Sequence, residues 1–193
     1  MGRREFLKGG IGTASLLAAG TWGLLSPVNA ADPTETRRAG LPLSLAEALR
    51  SIGTAPCIAK ATQLESIQEV DKALSFHLRS AGLDVAATLT IAAALRSLSE
   101  TEASYLASFS LSYNQRIGDA GAVPLARALP QGLRELGLVG CGISNQGGEA
   151  LFQWASHAPR LRMMCIEGNS FSPALTKRFR ELAGQGSGLF VFV

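Results

Sequence analysis

Histidine is scarce in this chain, with His77 and His157 the only two among 193 residues. They stand far apart with no carboxylate at ligand spacing, so no metal site is expected. Cysteine is scarce as well. Cys57, Cys141 and Cys165 form no C-x-x-C, and an odd count leaves at least one thiol unpaired within a monomer, so no disulfide framework is expected. There is no G-x-S-x-G elbow and no P-loop. The apolar stretch from Gly9 to Leu25 is too short and too interrupted by glycine for a spanning helix. These absences leave no expected cofactor and no expected catalytic set.

What the chain does have is a recurring line of apolar residues. Leu106-x-x-Phe109-x-Leu111 returns as Leu133-x-x-Leu136-x-Leu138 and as Leu161-x-x-Met164-x-Ile166, then begins again at Leu189-x-x-Phe192. The first members are 27, 28 and 28 residues apart. After each line comes a small or polar residue (Asn114, Cys141, Asn169), then an apolar one (Ile117, Ile143, Phe171), and later a helical leucine (Leu125, Leu151, Leu175). A weaker unit, Ala73-x-x-Phe76-x-Leu78 with Leu83 and Ile91, precedes them. Its 33-residue interval from Leu78 to Leu111 implies about five extra residues near Ser97–Glu102.

This pattern resembles the ribonuclease-inhibitor-like subtype of the leucine-rich repeat. The resemblance implies an α/β fold: a short right-handed solenoid with a parallel sheet on its concave face and helices on its convex face. It also implies a protein-binding scaffold whose open ends need shielding. The repeats are expected over residues 73–193. Residues 31–72 are expected to supply a flexible stretch and a helical N-terminal cap, with capping boxes at Ser44-Leu45-Ala46-Glu47 and Thr62-Gln63-Leu64-Glu65 opening two helices, the second covering Leu64, Ile67 and Val70.

The first thirty residues read differently. Arg3-Arg4-Glu5-Phe6-Leu7-Lys8 resembles a twin-arginine export signal, and Val28-Asn29-Ala30 offers small residues for cleavage after Ala30. The expected location is the periplasm or the exterior. The chain holds 18 basic and 15 acidic residues, and residues 1–30 account for three of the former and one of the latter. A remainder of 15 and 14 gives no electrostatic footprint for nucleic acid or an anionic membrane.

Alternation along each strand assigns faces. The rows expected on the concave side are Ser75, Ser108, Glu135, Met163, Val191, then His77, Ser110, Gly137, Cys165, Val193, then Arg79, Ser112, Val139, Glu167. They grade from small and polar to apolar. Met163, Cys165, Val191 and Val193 would form an apolar patch for a protein partner. Glu135 and Glu167, with flanking Arg134 and Arg162, would tune specificity. An equally simple reading is a shallow face that tolerates small and apolar residues. The glycines at Gly118, Gly121, Gly147 and Gly148 are expected at repeat turns, Cys141 in a structural niche, and Asn114 and Asn169 on backbone groups between turns. Leu189–Val193 is expected to be an edge strand that pairs with a second copy or a partner, or else simply closes the core. A periplasmic enzyme or accessory factor, or a structural envelope protein, remain the alternative functions.

Overall fold

The computed structural model describes residues 40–67, 73–184 and 188–193. Strands β1 (Leu74–His77), β2 (Leu106–Ser110), β3 (Glu135–Gly137), β4 (Met163–Cys165) and β5 (Phe190–Phe192) form one parallel sheet in chain order. Helices α1 (Gly40–Ile52) and α2 (Ala55–Glu65) precede the sheet. Between strands run α3 (Val85–Arg96) with the short α4 (Glu100–Tyr105), then α5 (Gly118–Ala128), α6 (Asn145–Ser156) and α7 (Pro173–Gly184). Each repeat thus contributes one strand and returns through helix to the adjacent position.

The apolar lines of the sequence become rows of core. Phe76, Phe109, Leu136 and Met164 are successive partners across the sheet, and all are buried. Behind them Leu78, Leu111, Leu138 and Ile166 form a second buried row, backed by Ile91, Leu125, Leu151 and Leu175 from the helices. Each such side chain contributes on the order of 1.5–3 kcal/mol by leaving water. The Phe76 and Phe109 rings stack with centroids 5.2 Å apart.

Polar side chains stitch one turn to the next. Asn114 Nδ2 donates to the carbonyls of Leu78 (2.8 Å) and Leu111 (2.7 Å), while its Oδ1 accepts from Leu83 N. Asn169 repeats this two turns later: it donates to Leu138 and Ile166 and accepts from Cys141 N and Ile143 N. Between them, Cys141 Sγ donates to Leu111 O at 3.3 Å. These contacts satisfy loop amides and carbonyls that burial would otherwise leave unpaired. Burial pushes the Cys141 thiol up to about 11, consistent with its structural niche.

Asp119 links neighbouring repeats on the helical side, accepting from Ser144 N (2.8 Å), the Ser144 hydroxyl and Gly147 N (2.9 Å) at the start of α6. Partial burial opposes its charge, but the Ser144 and Gly147 bonds prevail and hold the carboxyl below its ordinary value. Gly147 and Gly148 lie inside the first turn of α6, not in a turn between elements. A Cβ on Gly147 would stand 2.6 Å from Ile143, and one on Gly148 2.6 Å from Leu175. Gly121 likewise sits within α5.

The extra residues of the first repeat appear where the interval places them, as α4, opened by a reciprocal capping box between Ser99 and Glu102. Several local expectations need correction. Ser44 lies inside α1, which already begins at Gly40. Thr62 lies in the last turn of α2 and donates to Ile58 O; the N-cap is Thr54, with Pro56 in the first turn. Ile67 falls past the end of that helix, and Val70 lies outside the described residues. Leu74, not the exposed Ala73, opens the first apolar line, because a register shift pairs Leu74 with Leu106 and Ser75 with Ser108.

The fifth strand also departs from expectation. Phe190 pairs with Met163, Val191 with Met164, and Phe192 with Cys165. Val191 and Val193 therefore turn inward and pack against the core, and Phe190 and Phe192 take the outer positions. Leu189 is buried at the strand's start, which sets this alternation.

Candidate functional site

The side chains that leave the core form a grid on the open face of the sheet. Ser75, Ser108, Glu135, Met163 and Phe190 are one row of strand partners; His77, Ser110, Gly137, Cys165 and Phe192 are the next. With Arg79, Ser112, Val139 and Glu167 beyond the strand ends, most of these residues line a shallow depression of about 470 Å³.

The β1–β2 side of the depression is polar and internally satisfied. His77 Nε2 lies 2.8 Å from Ser108 Oγ, and Ser110 Oγ lies 3.1 Å from Ser112 Oγ. Ser112 Oγ accepts from Val139 N, and the Arg79 guanidinium sits 5.0 Å above the Tyr113 ring. Gly137 makes this packing feasible. A Cβ there would meet Ser110 Oγ at 2.6 Å, so any side chain would displace the serine row.

The β3–β5 side differs in kind. Glu135 and Glu167 take part in none of the ion pairs among the described residues, which are Arg50–Glu65, Lys177–Glu181 and Arg178–Glu149. Between them, the Cys165 thiol is pushed up by burial, then by the Glu167 and Glu135 charges, with Arg79 opposing. Next to this acidic centre stands an apolar ridge. Met163 is 36% exposed, Phe190 67% and Phe192 47%.

The titratable groups of the depression are set by burial and by the charges around them. A nucleophilic cysteine needs its thiolate favoured, and the surroundings of Cys165 do the reverse. Ser108 is 7% exposed beneath His77. Burial and the Lys60 charge pull the imidazole below its ordinary value, and Glu135 opposes them. Among the described residues no group of three or more His, Cys, Asp or Glu could hold a metal ion.

Of the residues singled out by sequence, Glu135, Met163, Cys165 and Glu167 come together around the depression. Arg134 and Arg162 are exposed just before β3 and β4, with Arg162 donating to the carbonyls of Leu161 and Pro159 in its own loop. Val191 and Val193 leave the set for the core. Phe190 and Phe192 enter it, as do His77 and Arg79, which the rows contained but the expected patch did not. Cys57 is buried in α2. Arg3, Arg4 and Ala30 lie outside the described residues. No helix among the described residues is long and apolar enough to cross a membrane.

No curated protein matches the chain. A family model described as Leucine Rich repeat matches residues 103–126 and 131–152, which cover the end of α4, β2 and most of α5, then β3 and most of α6. Repeats of this family generally serve protein–protein interaction. The matched segments, and the strand-and-helix unit that recurs on both sides of them, support a leucine-rich repeat protein.

Proposed function

We propose that this chain is an exported, non-catalytic scaffold that binds a protein partner through its open sheet face. In this reading the repeats are of the ribonuclease-inhibitor-like type, coiled as a right-handed solenoid with that face concave, and α1 and α2 cap its N-terminal end. The observation that carries the proposal is the asymmetry of the face. Its polar groups at β1–β2 bond to one another, whereas β3–β5 present two carboxylates without ion pairs beside an exposed Met-Phe-Phe ridge. Apolar anchors rimmed by charge are the chemistry of a protein-binding patch, with the ridge giving affinity and the carboxylates specificity.

The test is capture from envelope and extracellular fractions by the immobilised protein. A protein held by the wild type and by the helix-side variant Lys177→Glu should be held at least about tenfold more weakly by Met163→Glu and by Glu135→Lys/Glu167→Lys. Equal retention by the face variants would overturn the assignment, and a stoichiometric chromophore or metal in the purified protein would redirect it to catalysis. Export rests on the twin-arginine resemblance of Arg3 and Arg4 and on cleavage after Ala30. The double change Arg3→Lys/Arg4→Lys should abolish processed protein outside the cytoplasm, since recognition of paired guanidinium groups does not transfer to ammonium.

A further inference from the structure

From the edge of β5 we infer that two copies of this chain pair through that strand, antiparallel about a two-fold axis through Val191. This goes beyond partner binding by the sheet face and does not depend on it. The argument begins with which backbone groups are used. Phe190 N donates to Arg162 O and Phe192 O accepts from Ile166 N, so Phe190 and Phe192 direct their amides and carbonyls at β4. In a parallel ladder the intervening residue points its own pair the other way. The Val191 amide and carbonyl therefore face outward from the last strand of the sheet.

Among the described residues, the two edges of the sheet are protected unequally. At β1, Lys60 Nζ donates to the Ser75 carbonyl at 3.4 Å, placing a charged side chain from α2 over the outer strand. A lysine there is a common guard against edge pairing. At β5 the described residues 188–193 contain no charged side chain and no proline, and Phe190 and Phe192 stand 67% and 47% exposed.

What favours a second copy as the occupant is the symmetry of the edge itself. An isologous contact requires a patch complementary to its own image. Phe190-Val191-Phe192 reads the same in both directions. With Val191 on the axis, the two Val191 residues exchange N–H···O=C bonds, and each Phe190 falls opposite the other copy's Phe192. These flanking positions are non-hydrogen-bonded pairs, where side chains approach most closely and aromatic pairs stabilise a sheet. An axis perpendicular to the sheet keeps both open faces on the same side. The two five-stranded sheets then join as one ten-stranded surface, and the exposed ridge of each copy becomes its centre.

The experiment is light scattering of the full chain at high micromolar concentration, beside Phe190→Lys/Phe192→Lys. The wild type should have twice the chain mass, and the lysine variant should have the single-chain mass with its thermal midpoint measured at high dilution unchanged. Cysteine pairing then tests the register, in a Cys165→Ser background. The axis puts positions 190 and 192 about 4.5 Å apart between Cα atoms, within disulfide reach. Phe190→Cys/Phe192→Cys should oxidise to a covalent dimer, and either single substitution should not. A monomeric wild type, a lysine variant that still dimerises, or a single cysteine variant that crosslinks as fully as the double one would each overturn the inference. Loss of folding in the lysine variant would leave the cysteine comparison to decide.

Discussion

The two ends of the sheet are built from the same kind of strand and held in opposite ways. At the β1 end, the Phe76 ring is buried and stacked on Phe109, Lys60 bonds the outer backbone, and Thr54 Oγ1 donates to Ala81 O at 3.4 Å. Helices α1 and α2 extend the core there with Leu45, Leu49, Cys57, Ala61 and Leu64. At the β5 end, the two phenylalanines point away from the core, and among the described residues no side chain bonds the outward backbone as Lys60 does at β1. Residue type does not decide whether phenylalanine stabilises or recruits. The phase of the strand does, because a shift of one residue exchanges core for surface.

The largest effect expected from breaking this contrast comes from removing one ring at each end. Phe109→Ala deletes a fully buried side chain and its stacking partner for Phe76, and should cost about 3–5 kcal/mol. Phe190→Ala, the same chemical change on a 67% exposed ring, should stay within about 0.5 kcal/mol in dilute solution. Chemical denaturation of both variants measures the difference. Similar losses at the two positions would mean that β5 has the opposite facing.

That facing also shows where sequence reasoning stops. The repeats, the parallel order they imply, and the Asn114, Cys141 and Asn169 ladder were legible because polar and apolar residues alternate there and fix the phase. Four of the five members of each of the two strand rows follow from the same alternation. Leu189–Val193 has five consecutive apolar residues, so its sequence carries no phase, and only the burial of Leu189 and the pairing with β4 select one. The starts of the two N-terminal helices differ from the capping-box expectation for a related reason. A Ser or Thr three residues before Glu satisfies the capping-box pattern, yet the same residue inside a helix simply bonds back to the preceding turn, as Thr62 does to Ile58. The unpaired acids beside the Met-Phe ridge depend on distances between repeats, which no single repeat encodes.

A middle-sized effect separates the two kinds of stitch in the ladder. Asn114→Ala leaves Leu83 N and the Leu78 and Leu111 carbonyls without that side chain, inside a region where Asn114 is 2% exposed. At about 1–3 kcal/mol for a buried group left unpaired, the total should reach roughly 2–3 kcal/mol after local relaxation. Cys141→Ala removes a weak sulfur donor and should cost less than Asn114→Ala. Thermal midpoints of the two variants rank the stitches, and a Cys141 change that proves the costlier would show that packing, not hydrogen bonding, holds the turns together.

The smallest effect on stability sharpens the comparison most. Lys60→Ala removes one ammonium from a partly buried position, where burial already pulls its affinity for the proton below the ordinary value. Its 3.4 Å bond to the Ser75 carbonyl is long, so the stability change should stay under about 0.5 kcal/mol. Its effect on association should be larger than its effect on folding, because the change uncovers an outward carbonyl of β1 and leaves an edge without its charged guard. In a background carrying Phe190→Lys/Phe192→Lys, where the β5 edge is blocked, Lys60→Ala should restore concentration-dependent association in light scattering. If that triple variant stays monomeric, Lys60 is an ordinary surface residue and the helices α1 and α2 alone keep the first edge closed.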